Sequence, residues 1–172
     1  MVQIEYLPIV LTGLGLTASI LYYTMTLRNA NKTQQNQLET RQVQMFMQIY
    51  HSYQSPEYRK ASNILNLNKF ESIEEFLQIY DPSNPDNMEN SDALLTIITY
   101  YEGLGSLVKE GFLDIRWIAL LMAGDTRKTW ERLEPIIDEV RESFDYPRFA
   151  SEMQYLYNEL MKYMKEHPEL AT

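Results

Sequence analysis

Among side chains able to move a proton or hold a metal, carboxylates dominate this chain: Asp and Glu number 24, against two His and no Cys. Glu131, Glu134, Asp138 and Glu142 recur at steps of three and four, which aligns them along one face of a helix as paired carboxylates for acid–base work. Arg127 lies four positions before Glu131, so the same stripe also reads as a solvated face with an ordinary ion pair, and the residues favour that reading. Glu102 differs from them. It adjoins Tyr101 within an apolar helical stripe, where an unpaired carboxylate would cost several kcal/mol. A structural ion pair with Arg132 or Arg141 from a neighbouring helix is expected.

Metal and nucleotide chemistry find little support. Neither His51 nor His167 has a Glu three positions before it, as di-iron bundles require, and the helical motif of paired histidines that binds zinc is absent. Asp81 to Asn90, DPSNPDNMEN, is rich in oxygen ligands, but Pro85 and the missing central Gly break the calcium-loop pattern and the segment reads as a plain loop. Gly103 and Gly105 follow no strand and lack a third Gly, so close helix packing is expected of them rather than phosphate binding. No catalytic residue, cofactor or metal is assigned.

The elements that would position these groups are all helical. Leu38, Met45, Phe46, Ile49 and Tyr53 recur at helical steps, and no Gly or Pro falls between Leu27 and Pro56. Ser55-Pro56-Glu57 marks a helix start running towards Leu67, and Ser72 with Glu75 forms a capping box for a short helix to Ile79. Leu94, Ile97, Ile98, Tyr101, Leu104, Leu107 and Val108 form one stripe closed by Gly111, a residue suited to the left-handed position after a helix. Asp114 caps a helix to Gly124, and Asp125 caps another with Trp130, Leu133, Ile137, Val140 and Phe144 inward. Pro135 should bend that helix. Pro147 opens a last one with Phe149, Met153, Leu156, Leu160 and Tyr163 inward. The fold class is all-α: an N-terminal transmembrane helix continuing into an antiparallel helical bundle.

Leu7 to Leu27 contains no charge, and a helix of about twenty residues spans the hydrocarbon core of a bilayer. Its apolar residues fall on every face, and Thr12, Thr17, Ser19, Thr24 and Thr26 can return their hydroxyl protons to carbonyls one turn earlier. Two other readings compete. A cleaved signal peptide would want basic residues before the run, and Met1 to Tyr6 has none; a buried core helix would be unusually long and apolar. Arg28 and Lys32, the first positive side chains, follow the span directly, which places the C-terminal part in the cytoplasm. The expected layout is an extracytoplasmic N-terminus (1–6), a transmembrane helix (7–27), a helical stalk (28–54) and a cytoplasmic helical domain (55–172). Gly13, Gly15, Thr17 and Ser19 form small-x-x-x-small pairs, which allow helices to approach closely in the membrane.

Charge narrows the partners. All 15 Lys and Arg follow residue 27, as do all of the 24 acidic residues except Glu5, leaving 23 negative against 15 positive side chains. Such a module repels phosphate backbones, which argues against nucleic acid, and only Arg28 and Lys32 are placed to meet lipid headgroups.

Tyr101-Glu102-Gly103-Leu104-Gly105, then Gly111-Phe112-Leu113-Asp114, then Trp130-Glu131-Arg132-Leu133-Glu134-Pro135-Ile136-Ile137 with Arg141, resemble domain-of-unknown-function family 4760, short membrane-anchored helical proteins. The resemblance covers about Ser55 to Leu160 and implies an all-helical cytoplasmic domain behind one span. It carries over no functional residue. The expected function is therefore a membrane-anchored interaction or assembly module, with the bilayer and either a protein partner or further copies of itself as its contacts. Two alternatives stay open: an accessory subunit of a larger membrane complex, packing through Gly13, Gly15 and Ser19, and an enzyme using carboxylates such as Glu102 or Glu131.

Overall fold

The computed structural model describes residues 7–170. The expected extracytoplasmic segment 1–6 lies outside the described residues. The chain divides into two compact units, Met1–Val43 and Gln44–Thr172.

Seven α-helices and two short 3-10 turns account for the architecture, with no strand among the described residues. The first helix, α1 (Leu7–Tyr53), runs unbroken through both the uncharged stretch and the polar sequence after it. From Leu7 to Arg41 its side chains are exposed. Thr12, Thr17, Ser19, Thr24 and Thr26 each donate to the carbonyl four residues earlier at 2.7–2.9 Å, so none of these hydroxyls needs an external partner.

The second unit holds the core. Its helices are α2 (Pro56–Leu67), α3 (Ile73–Tyr80), α4 (Met88–Lys109), α5 (Ile115–Leu121), α6 (Ala123–Ser143) and α7 (Ser151–Glu166). The long α4 is the hub, packed against both α2 and α7. The inward rows follow the sequence periodicity: Ile97, Tyr101 and Leu104 on α4, Trp130, Leu133 and Ile137 on α6, and Met153, Leu156 and Leu160 on α7 are all buried. Phe144, expected to complete the α6 row, is exposed because the helix ends at Ser143 just before it. Leu38 is likewise exposed, lying in the polar part of α1 before the core begins at Phe46.

Local chemistry explains most helix ends. Ser55 accepts from the Tyr58 N–H at 3.1 Å with Pro56 following it, as the start of α2 requires. Ser72 accepts from the Glu75 N–H at 3.3 Å, but the Glu75 carboxylate reaches the Glu71 N–H rather than that of Ser72, shifting the capping box by one residue. After α4, Gly111 takes φ 72° while Phe112 donates to Leu107 and Gly111 to Val108, the two reverse bonds of a Schellman turn.

Three starts depart from expectation. Asn84 caps a 3-10 turn at Pro85–Asn87 that feeds directly into α4, so the acidic loop is helical from Met88. The break between α5 and α6 falls at Met122, where φ is −134°, and Asp125 lies inside α6 instead of capping it. Pro147 sits in a turn, and α7 begins only at Ser151, after Asp145 and Ala150 adopt positive φ.

Asp125 is drawn elsewhere: its carboxylate accepts from the Tyr53 hydroxyl. This bond borders a cluster of phenols that joins the end of α1 to α2 and α4. Tyr58 lies 5.0 Å from Tyr53 and 4.7 Å from Tyr100 between ring centroids, and its hydroxyl is 3.0 Å from that of buried Tyr101. Tyr100 donates to the Ile49 carbonyl. Burial, reinforced by the neighbouring phenol Tyr101, pushes Tyr58 and Tyr100 far above the ordinary phenol range; burial and the bond to Asp125 do the same to Tyr53. Because the folded values are raised, the unfolded chain releases these protons first. The stabilisation is intact below the unfolded value of about 10 and is lost as pH climbs above it. In an alkaline titration, phenolate absorbance from these tyrosines should therefore rise together with loss of helical circular dichroism. Complete ionisation of every tyrosine while the helices persist would refute this account.

Candidate functional site

Glu102 has a clear structural role, and it is not the ion pair expected. The Glu102 carboxylate accepts from the backbone N–H groups of Glu152 and Met153, both at 3.0 Å. These donors of the first turn of α7 have no partner within the helix, and its own cap residue, Ala150, has no side chain able to satisfy them. Glu102 thus caps α7 from another helix, and its charge complements the positive end of the α7 dipole. Lys109 adds a bond to the Glu152 carboxylate at 2.9 Å.

Gly105 makes this approach feasible. A Cβ there would overlap the backbone carbonyl of Glu152, whereas a Cβ on Gly103 would meet nothing within 4 Å. Close helix packing therefore accounts for Gly105 and not for Gly103.

The proposed ion pairs of Glu102 are corrected by the same geometry. Arg132 spreads over the Phe70 ring at 5.2 Å and donates to the Asn68 carbonyl and to Asn66, tying α6 to the end of α2 and the segment that follows it. Arg141 donates to the Phe149 carbonyl at 2.9 Å and to Asp138 at 3.1 Å, bracing the turn that leads into α7. Each guanidinium thus donates to a backbone carbonyl of a neighbouring turn rather than to Glu102.

The acidic stripe lies along α6, with Glu131 paired to Arg127 at 3.4 Å and Asp138 to Arg141. His51 is exposed on α1, and His167 pairs with Glu169 at 3.0 Å while stacking on Tyr163. Among the described residues, no three His, Asp or Glu side chains converge as a metal-holding group. Gly13, Gly15, Thr17 and Ser19, with Arg28 and Lys32, are exposed along α1. A Cβ on Gly13 or Gly15 would meet open space.

One concavity leaves no mark in the sequence. A groove of about 660 Å³ runs between α2 and the start of α4. Ala61, Ile64, Met88 and Ala93 supply its apolar lining, and Glu57, Asp86, Glu89 and Asp92 its acidic side chains. Lys60 reaches Glu89 across it at 2.6 Å; this contact holds the carboxyl of Glu89 below, and the ammonium of Lys60 above, their usual ranges. The three-residue spacing of Asp86, Glu89 and Asp92 was visible in the sequence, but their facing α2 was not. A smaller, more polar cleft of about 370 Å³ lies beside Tyr53, Arg59, Asn63 and Asp125.

Substitutions in the α4–α7 junction separate these roles. Gly105→Ala should destabilise by about 1–3 kcal/mol through overpacking, while Gly103→Ala should stabilise by about 0.5–1 kcal/mol as an ordinary helix substitution. Glu102→Ala should cost about 1–3 kcal/mol, and Glu102→Gln less, because its amide oxygen still accepts. Urea unfolding monitored by circular dichroism measures all four; equal stability of the two glycine variants would refute the role given to Gly105.

No curated protein and no solved structure matches this chain. The sequence profile described as Domain of unknown function (DUF4760) matches residues 9–160, taking in both the uncharged part of α1 and the α4–α7 junction. The chain therefore belongs to the DUF4760 family.

Proposed function

We propose that this protein is a single-pass membrane protein whose helical unit serves as an interaction or assembly module on the cytoplasmic side. The observation that carries the reading is the state of the N-terminal part of α1. Its most apolar window has a mean hydropathy of 1.4 and no buried residue, while the second unit has a core of its own. Leaving so much apolar surface in water is unfavourable by about 25 cal/mol per Å², and a bilayer removes that cost. The internally bonded Thr and Ser hydroxyls suit a lipid environment for the same reason.

Arg28 and Lys32 support the inward orientation, since positive residues flanking a span remain on the cytoplasmic side. The acidic helical unit then stands off anionic headgroups and faces protein partners, either another protein or a second copy of this chain. The alternative of an accessory subunit draws on the open space around Gly13 and Gly15, where a second membrane helix can approach closely.

The natural absence of cysteine makes the topology directly testable. The protein should remain in the membrane pellet after alkaline carbonate extraction. In intact cells a membrane-impermeant maleimide should label Gln3→Cys and spare Asn63→Cys until the membrane is permeabilised. Release by carbonate would overturn the anchor, and the opposite labelling pattern would overturn the orientation.

A further inference from the structure

We propose that the groove between α2 and α4 docks a basic, amphipathic helical segment of a protein partner. This deepens, and rests on, the reading of the helical unit as an interaction module. The groove joins two features that select the same occupant. Its lining includes the small side chains of Ala61 and Ala93, which leave room between the helices, together with partly buried Ile64 and the exposed, adaptable Met88. Apolar anchors at helical spacing fill such a hollow.

Charge sets the sign of the partner. Glu57, Asp86 and Asp92 are exposed, and among the described residues none of them has a Lys or Arg within salt-bridge distance. Only Glu89 is neutralised, by Lys60. A row of unpaired carboxylates beside an apolar hollow attracts cationic side chains and rejects acidic ones. A second copy of this chain, at a formal −9, is electrostatically a poor occupant, and an anionic lipid surface is a worse one.

The Lys60–Glu89 pair is an internal competitor for the same site. Both side chains are about two-thirds exposed, at 68% and 67%, so the pair exchanges readily for an incoming cation. Lys60 then occupies one of the partner's charge positions while the groove is empty.

The test uses the full chain in uncharged detergent micelles, with fluorescence anisotropy of a labelled Leu/Lys amphipathic helix of five turns and empty micelles as background. Leu/Glu and Ala/Lys helices of the same length and spermine serve as comparison probes. The Leu/Lys helix is expected to bind, and to weaken with added salt. The variant combining Glu57→Gln, Asp86→Asn and Asp92→Asn should lose about tenfold in affinity, and Lys60→Met should gain a few-fold, with circular dichroism unchanged in both. Unchanged affinity in the triple variant, equal binding of the Leu/Glu helix, or no binding to the folded protein would overturn the proposal. Equal binding of the Ala/Lys helix, or full displacement by spermine, would assign the groove to small polycations instead and equally overturn it. Native mass measurement of protein extracted from its own membrane distinguishes the two levels. Companions retained by the triple variant would uphold the module and sink the groove, whereas a lone monomer would sink the module itself.

Discussion

The helical unit depends on one contact between helices: the Glu102 carboxylate seated on the first turn of α7. Every helix begins with backbone N–H groups that have no partner within it, and most satisfy them from their own flanking sequence. The last helix here cannot. Its preceding residue is Ala150, held at φ 54° with no hydrogen-bonding side chain. The donors are satisfied only if α4 supplies the acceptor, and α4 can come close enough only because Gly105 has no side chain facing Glu152. Packing and capping are therefore one event, and α7 begins where α4 allows it to begin.

Other features follow from α4 being the hub. One part of its surface holds α7 through Glu102, Gly105 and Lys109, and another packs against α2 through a seam of small residues. The first is closed by complementary backbone and charge; the second leaves an acidic hollow crossed by a single exposed ion pair. Arg132 and Arg141 perform a comparable service at the edges, each donating to one turn carbonyl. Arg132, Arg141 and Glu102 in the recognised motifs are thus explained by the backbone groups they satisfy. None of them needs a catalytic role to account for its position.

How much of this was legible beforehand depended on the range of the interaction. Ser55 with Pro56, Ser72, Asp114 and Gly111 act within a few residues of themselves, and each end they mark is found where their chemistry puts it. The inward rows of α4, α6 and α7 were equally readable, because a periodicity of three and four records which face loses water. Asp125 misled for the opposite reason: its type suits a helix cap, but the Tyr53 hydroxyl, far away in sequence, claimed its carboxylate. Glu102 misled similarly. An acidic residue in an apolar stripe correctly signalled a need for a partner, yet the partner was backbone rather than an arginine, and backbone donors leave no mark in a sequence.

The sequence by itself determined the all-helical class, membership of a recognisable family, the core faces, and the long first helix whose uncharged stretch is followed by the first positive charges. These are properties of composition, period and neighbouring residues, and they persist whatever the helices later touch. Only the tertiary structure decided which carboxylate caps α7, which of two glycines must be glycine, where the phenols of four separate tyrosines meet, and that Glu57 and Asp92 line one hollow. Those are distances between residues far apart in the chain, and they come into being only when the helices have packed.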